Sequence, residues 1–291
     1  MAKPETTHNV PKDLRLSPRT HGKFECLKNI LTEMGNVLVA FSGGADSTLL
    51  LKVAGDVLGK NVLAVTAKSE TYPEKEIREA KKLARSFKVR HLVIKTHELE
   101  NQDFVSNTPQ RCYYCKQELF SRLREIAEEE KIPYVLDASN YEDRLDFRPG
   151  SKAGKKLGIR SPLKEVRLLK GEIRQLSRYL GLPTWAKPSL ACLASRFPYY
   201  TKIEKKSLKQ IGAAEDFLRS LAFRQVRVRH HGSVARIEVD PDEFLKIIQK
   251  GVRQKITNYL KKMGYTYIAL DLIGYRTGSM NEPLKKVSSE Q

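Results

Sequence analysis

The chain has 291 residues, of which 40% are hydrophobic, enough for about two domains that each bury a core, and this excludes a mini-protein scaffold. Lysine and arginine number 53 against 34 aspartates and glutamates, a formal net charge of +19, so the surface attracts polyanions: nucleotides, nucleic acid or anionic lipid. No apolar run reaches the roughly 18 residues of a membrane span, and the amino terminus lacks the apolar stretch of a signal peptide, so the chain reads as soluble, cytoplasmic and without a membrane partner.

Residues 1–20 mix Pro, Thr, Lys and Arg without periodicity and predict a flexible arm. An amphipathic helix is expected at about 21 to 34. From Asn36 short apolar runs (NVLVAF, NVLAVTA, RHLVIK, PYVLDAS) alternate with charged amphipathic segments (STLLLKVAGDVLG, EKEIREAKKLARSF, KQELFSRLREIAEEE). That alternation predicts βαβ units and an α/β fold with a parallel sheet covered on both faces, whose ligands bind outside the carboxyl ends of the strands. The segment TWAKPSLACLASRFPYYTK has no period and reads as a functional loop. Beyond it a helix (about 203 to 220), two β-like runs (RQVRVRH and VARIEV), a helix (about 241 to 262) and a last strand (TYIALDL) make a smaller α+β unit. The expected division is an arm over 1–20, an α/β domain over 21–185 and a smaller α+β domain over 186–291.

The first strand runs straight into Ser42, Gly43, Gly44, Ala45, Asp46 and Ser47, followed by a helix. Two glycines let the backbone turn tightly and offer N–H groups to an anion, and the helix terminus adds unsatisfied donors and a positive dipole end. Ser42 and Ser47 can donate hydroxyl hydrogen bonds, while Asp46 either caps the helix or holds a magnesium ion bridging phosphate oxygens. The loop lacks the GxxxxGK[ST] pattern of a γ-phosphate site. An ordinary βα turn with polar caps would have the same composition, but SGGADS after a first strand resembles the SGGxDS loop of the ATP pyrophosphatase (PP-loop) superfamily. That resemblance implies ATP split between its α and β phosphates, giving an adenylated substrate and pyrophosphate.

Four cysteines (Cys26, Cys112, Cys115 and Cys192) are too few for a disulfide framework in a chain of this size. Cys112 and Cys115, in RCYYCK before a helix, lie in a basic setting that favours thiolates. A spacing of three can chelate a metal or cluster or form a redox pair; equally, such cysteines can be small buried hydrophobes. Cys192 lies in the irregular segment, from which a loop could return it over the strand ends. Three thiolates suit an iron–sulfur cluster with one open iron better than a closed zinc site, which needs a fourth ligand. Cys26, inside the first helix, is expected in the core.

Further stretches agree with one PP-loop family: AVTAKSETYP, RCYYCK, DASNYEDRLDFRPG, the SPL at 161–163, KPSLACLASRFPY, VRVRHHGSVARIEV and DLIGYRTGS. Together they resemble the LarE-type sulfur transferases over about residues 21 to 280. The resemblance implies thiolation of the carboxylates of a pyridinium biscarboxylate mononucleotide on the route to the nickel-pincer nucleotide cofactor. Some members surrender the sulfur of the cysteine matching Cys192 and are left with dehydroalanine; others carry all three cysteines and hold a four-iron four-sulfur (4Fe-4S) cluster, the subtype this sequence resembles. On this reading Cys112, Cys115 and Cys192 ligate the cluster, ATP with Mg2+ activates the carboxylate, and sulfide or another sulfur donor reloads the protein. An acyl adenylate replaces a poor leaving group by AMP, after which sulfur attacks the carbonyl.

Substrate phosphate and carboxylates call for cations. Arg227 and Arg229 alternate along one strand and face one side, while Arg196 and Arg276 sit in two loop motifs. A solvated basic face would show the same pattern. Glu215 and Asp143 can position a metal or substrate, and Ser195 can hydrogen-bond the activated carbonyl. A homo-oligomer is expected. Rival readings are a PP-loop tRNA thiolase, which the charge favours but for which no RNA-binding appendage is visible, an amidating ligase of the NAD synthase type, and a non-catalytic nucleotide sensor.

Overall fold

In the computed structural model, residues 16–145, 149–188, 191–276, 278–282 and 284 are described. Most of the expected arm, and parts of the DFRPG, KPSLAC and YRTGS motifs, lie outside these residues. The first helix, α1 (Pro18–Met34), starts where Ser17 accepts a hydrogen bond from the Thr20 amide and Pro18 occupies the first turn; it ends at Gly35, with φ +68°. There follow β1 (Val37–Ala40), α2 (Ala45–Leu58), β2 (Val62–Lys68), α3 (Glu74–Ser86), β3 (Arg90–Lys95), α4 (Gln102–Val105), α5 (Arg111–Glu129), β4 (Tyr134–Leu136), α6 (Gly150–Lys156), α7 (Pro162–Glu165) and α8 (Lys170–Tyr179). The remaining elements are α9 (Lys205–Ser220), β5 (Val226–His231), β6 (Val234–Val239), α10 (Phe244–Ile248), α11 (Lys250–Lys262) and β7 (Tyr267–Leu270).

The described residues pack as two units that interleave along the chain, one within 1–67, 75–95 and 116–189, the other within 68–74, 96–115 and 190–291. The first carries a four-stranded sheet in the order β3-β2-β1-β4, with β1 parallel to both β2 and β4. Val37, Leu38 and Val39 of β1 are all fully buried. Such a continuous apolar run is what a strand covered on both faces requires. Leu27 and Leu31 of α1, Leu49, Leu50 and Leu51 of α2, and Ile173 and Leu176 of α8 complete this core. From β1 the chain steps outward through β2 and β3, then returns on the other side of β1 as β4. The reversal makes a switch point at the carboxyl end of β1, the position at which open parallel sheets bind ligands.

The second unit contains a three-stranded sheet in the order β5-β6-β7, antiparallel between β5 and β6 and parallel between β6 and β7. The β5–β6 hairpin turns at Gly232, whose φ of +63° suits glycine. Leu218 of α9, Val226, Val228 and Ile237 of the sheet, and Ile256 and Leu260 of α11 form its core. The α/β class with a parallel sheet and a smaller mixed unit is the fold expected from the sequence.

Two local expectations need correction. The helix expected over 241–262 is interrupted at Gln249, whose ψ of 134° is extended and separates α10 from α11. The pair Cys112 and Cys115 does not precede a helix but lies inside the first turn of α5, which begins at Arg111. No helix among the described residues is long and apolar enough to cross a membrane.

Because Leu50 is fully buried between α2 and the sheet core, Leu50→Ala is expected to destabilise the protein by about 2–5 kcal/mol. Urea denaturation checks this as a lower midpoint at unchanged slope.

Candidate functional site

Within the first unit, β1 delivers the chain to the loop at Ser42–Ser47. Gly43 has φ +72°, and a Cβ there would meet the Cβ of Ala80 at 3.3 Å, so both backbone conformation and space select glycine. Gly44 caps α2 with no side-chain hydrogen bond, leaving the first amides of the helix without a side-chain partner at the cap. The loop is held from inside: the Ser42 and Ser47 hydroxyls lie 3.0 Å apart, and the Ser47 hydroxyl donates to the Gly44 carbonyl at 3.2 Å. The arrangement is a concave backbone of donors at a helix N-terminus, suited to an anion.

Asp46, in the first turn of α2, pairs with Lys170 at the start of α8 and accepts from Asn140 Nδ2 at 3.3 Å. Asn140 follows the carboxyl end of β4, and its amide donates to Asp143 at 2.9 Å. Asp143 therefore shapes the turn that presents Asn140 to Asp46. Lys187 Nζ donates to the Gly43 carbonyl at 3.2 Å while paired with Glu76 at 2.7 Å and Glu79 at 2.9 Å. Burial alone would lower its pKa, but the two carboxylates outweigh burial and raise it, so it stays charged. Sequence reasoning missed Lys170, Asn140 and Lys187 as parts of the loop environment. Asn140 and Lys187 lie inside the stretches DASNYEDRLDFRPG and KPSLACLASRFPY, but their partners are remote in sequence.

In the second unit the three cysteines Cys112, Cys115 and Cys192 all act electrostatically on one phenol, that of Tyr72. Tyr72 has its pKa raised well above the ordinary tyrosine range by the charge of Cys115 first, then by burial, Cys192, Glu98 and Cys112. Cys112 is exposed, while Cys115 and Cys192 are partly buried and Cys115 points at the buried Glu98 carboxylate, Sγ to Oε1 3.8 Å. Burial pushes the Cys192 thiol up; the positive Arg111, the Ala194 amide and the Thr71 hydroxyl pull it down but do not offset burial. Among the described residues no three His, Cys, Asp or Glu side chains are spaced to hold a metal ion as they stand. The donors nevertheless fit a cluster in kind: three thiols in one neighbourhood, with the buried Arg111 cation to oppose thiolate charge. Cys26, expected in the core, is exposed on α1.

The loop after Cys192 is built on buried charge. Arg196, only 1% exposed, donates from Nε and Nη2 to the fully buried Glu215 at 2.7 and 2.9 Å. Its Nη1 donates to the carbonyls of Ala191 and Cys192 at 2.8 and 3.1 Å and to the Ser195 hydroxyl at 2.8 Å. Arg219 and the Val228 amide also donate to Glu215. Arg229, from the same face of β5 as Arg227, forks onto Glu238 at 2.8 and 2.9 Å and reaches the Ser195 carbonyl and the Ser279 hydroxyl. Arg227 lies over the Tyr275 ring, and burial, then the neighbouring Arg196, lower its pKa to about 10. Arg196, Glu215, Ser195, Arg227 and Arg229 are thus brought together. Arg276 forks onto the exposed Glu282 at 3.0 and 3.1 Å and also feels the charge of Asp271 and Glu238.

Residues 36–119 match the family described as queuosine biosynthesis protein QueC. The chain is 40% identical over 260 residues to the pyridinium-3,5-bisthiocarboxylic acid mononucleotide synthase of Lactiplantibacillus plantarum, a match covering 88% of this chain and 92% of that protein. It is 41% identical to an uncharacterised protein of Synechocystis sp., covering 91% and 98% of the two chains. An uncharacterised protein of Methanocaldococcus jannaschii is 30% identical, with 86% and 96% covered.

Glu215 is buried, so desolvation alone would raise its pKa, yet Arg196, then Arg219 and Arg227, hold it below the ordinary carboxylate range. A depressed carboxylate stabilises the fold above its unfolded pKa, and that contribution is lost as pH falls through the folded value. Glu215→Gln, which leaves Arg196 without its counter-charge, is expected to cost about 3–5 kcal/mol at pH 7. The gap between wild type and variant should narrow as pH falls below about 4, measured by denaturation at both pH values.

Proposed function

The chain belongs to the PP-loop sulfurtransferase family of the pyridinium-3,5-bisthiocarboxylic acid mononucleotide synthase, and on that premise we propose that it adenylates a carboxylate of a pyridinium biscarboxylate mononucleotide and replaces carboxylate oxygen with sulfur. It is an ATP-dependent enzyme of the PP-loop superfamily, using ATP with Mg2+. The observation that carries the finer reading is a thiol, Cys192, seated beside Arg111 on a loop whose carbonyls are pinned by Arg196.

Activation belongs to the first unit. The amides at the start of α2, which no side chain caps, and the hydroxyls of Ser42 and Ser47 support binding of the pyrophosphate part of ATP. Asp46 is the residue that would hold Mg2+, which binds through one or two carboxylates with phosphate oxygens and water. The substrate carboxylate attacks the α-phosphorus, the bond to the bridging oxygen breaks, and pyrophosphate leaves; the product is an acyl adenylate.

Sulfur delivery belongs to the second unit. The buried guanidiniums of Arg196, Arg227 and Arg229 exceed the buried carboxylates Glu215 and Glu238 by one positive charge, which suits an anionic substrate. Ser195 is oriented by Arg196 and can donate its hydroxyl to the activated carbonyl. Cys112, Cys115 and Cys192 would hold a four-iron four-sulfur cluster, which when bound supplies an exchangeable sulfide. Attack of sulfur on the acyl carbon expels AMP and leaves the thiocarboxylate.

The division of labour makes two expectations. Asp46→Ala is expected to abolish substrate-dependent pyrophosphate release, whereas Cys192→Ala should retain release and form no thiocarboxylate; pyrophosphate assay and product mass spectrometry check both. With the cluster loaded and sulfide supplied anaerobically, each chain should yield more than one thiolated product while Cys192 keeps its sulfur. Intact-protein mass reads the opposite outcome as a loss of hydrogen sulfide, with dehydroalanine at position 192 and one product per chain.

A further inference from the structure

Away from the loop and the thiols, one groove in the first unit gathers positive charge with no carboxylate in its lining. It has a volume of about 610 Å³ and is lined by Lys81 and Arg85 of α3, by Lys88 and Val89 after it, and by His91, Leu92 and Val93 of β3. The volume falls within the roughly 300–1,000 Å³ of small-molecule sites. β3 is an edge strand whose Leu92 and Val93 are only half-buried, so the groove has an apolar side as well as a cationic one.

Charge decides what this groove can hold. Lys81 and Arg85 are one helical turn apart, a spacing at which like charges repel. Both are exposed, as is Lys88, and among the described residues none of the three makes an ion pair. The C-terminus of α3 offers about half a negative charge. Against the three cations this leaves an excess of about two and a half positive charges, which a bound anion would offset.

The groove also touches the path to the nucleotide loop. His91 Nε2 lies 2.8 Å from Thr66 Oγ1, and Thr66 spends its one hydroxyl hydrogen on the Phe41 carbonyl at 2.7 Å. Nε2 is therefore the donor in that contact. The imidazole meets the Phe41 ring edge-on at 6.0 Å, and Phe41 immediately precedes Ser42.

We propose that this groove is a second anion site, distinct from the loop at Ser42–Ser47, that takes a phosphate-bearing small molecule of pyrophosphate to mononucleotide size. The cations bind the phosphate, the apolar side of β3 accommodates the body of the ligand, and the His91 ring reports occupancy.

Calorimetric titration of the full chain with inorganic pyrophosphate at low ionic strength tests it. Wild type should bind at least two equivalents, one of them in the groove. Lys81→Glu with Arg85→Glu should keep one class and weaken the other at least tenfold, while the equal charge change Lys255→Glu with Lys262→Glu on α11 keeps both. The His91 ring resonance should move with the class that the first variant loses. One equivalent in every protein, equal weakening by both charge reversals, or an unmoved His91 resonance would overturn the assignment. So would tighter binding of a tRNA than of pyrophosphate, lost with the same variant, because the occupant would then be a nucleic acid.

Discussion

A carboxylate without access to water governs the second unit. Glu215 projects from α9 into a place where neither of its oxygens meets solvent, and a lone ion there would cost several kcal/mol. Arg196, Arg219 and the Val228 amide satisfy it, which ties the loop after Cys192, the helix and the sheet to one point. Arg196 has a fixed fork of donors. With Nε and Nη2 turned to Glu215, its Nη1 faces the neighbouring backbone, and there it holds the carbonyls of Ala191 and Cys192 and the hydroxyl of Ser195. The shape of the thiol loop is thus set by a group that never touches the thiol.

The first unit prepares for negative charge by other means. Its loop uses backbone amides at a helix N-terminus, placed by the reversal of strand order at β1, and needs no buried guanidinium. Backbone donors lose no side-chain entropy on binding and cannot be titrated. The second unit uses arginines already paired with Glu215 and Glu238, so its positive excess is small and rigidly aimed.

Fold class and loop were legible in the sequence because both are written in contiguous residues. The near-continuous apolar run of β1 and the alternation of strands with amphipathic helices report a sheet covered on both faces, and SGGADS carries its own turn geometry in Gly43. The interruption at Gln249 was not legible, since the apolar period of α10 continues into α11 while one residue adopts an extended ψ. Cys26 illustrates the same limit: a cysteine on an amphipathic helix sits near the boundary of the apolar face, and packing puts it outside.

What the sequence by itself determined is therefore local: the parallel α/β order, the glycine turn between β1 and α2, and the presence of three cysteines and a set of arginines in recognisable motifs. Tertiary structure alone decided their company. It brought the charge of all three thiols to bear on Tyr72, gave Arg196 to Glu215, and set Lys170 and Asn140 against Asp46. Periodicity and turn chemistry act over about four residues, whereas these partners lie far apart in the chain and are selected by the need to neutralise charge that packing has taken out of water.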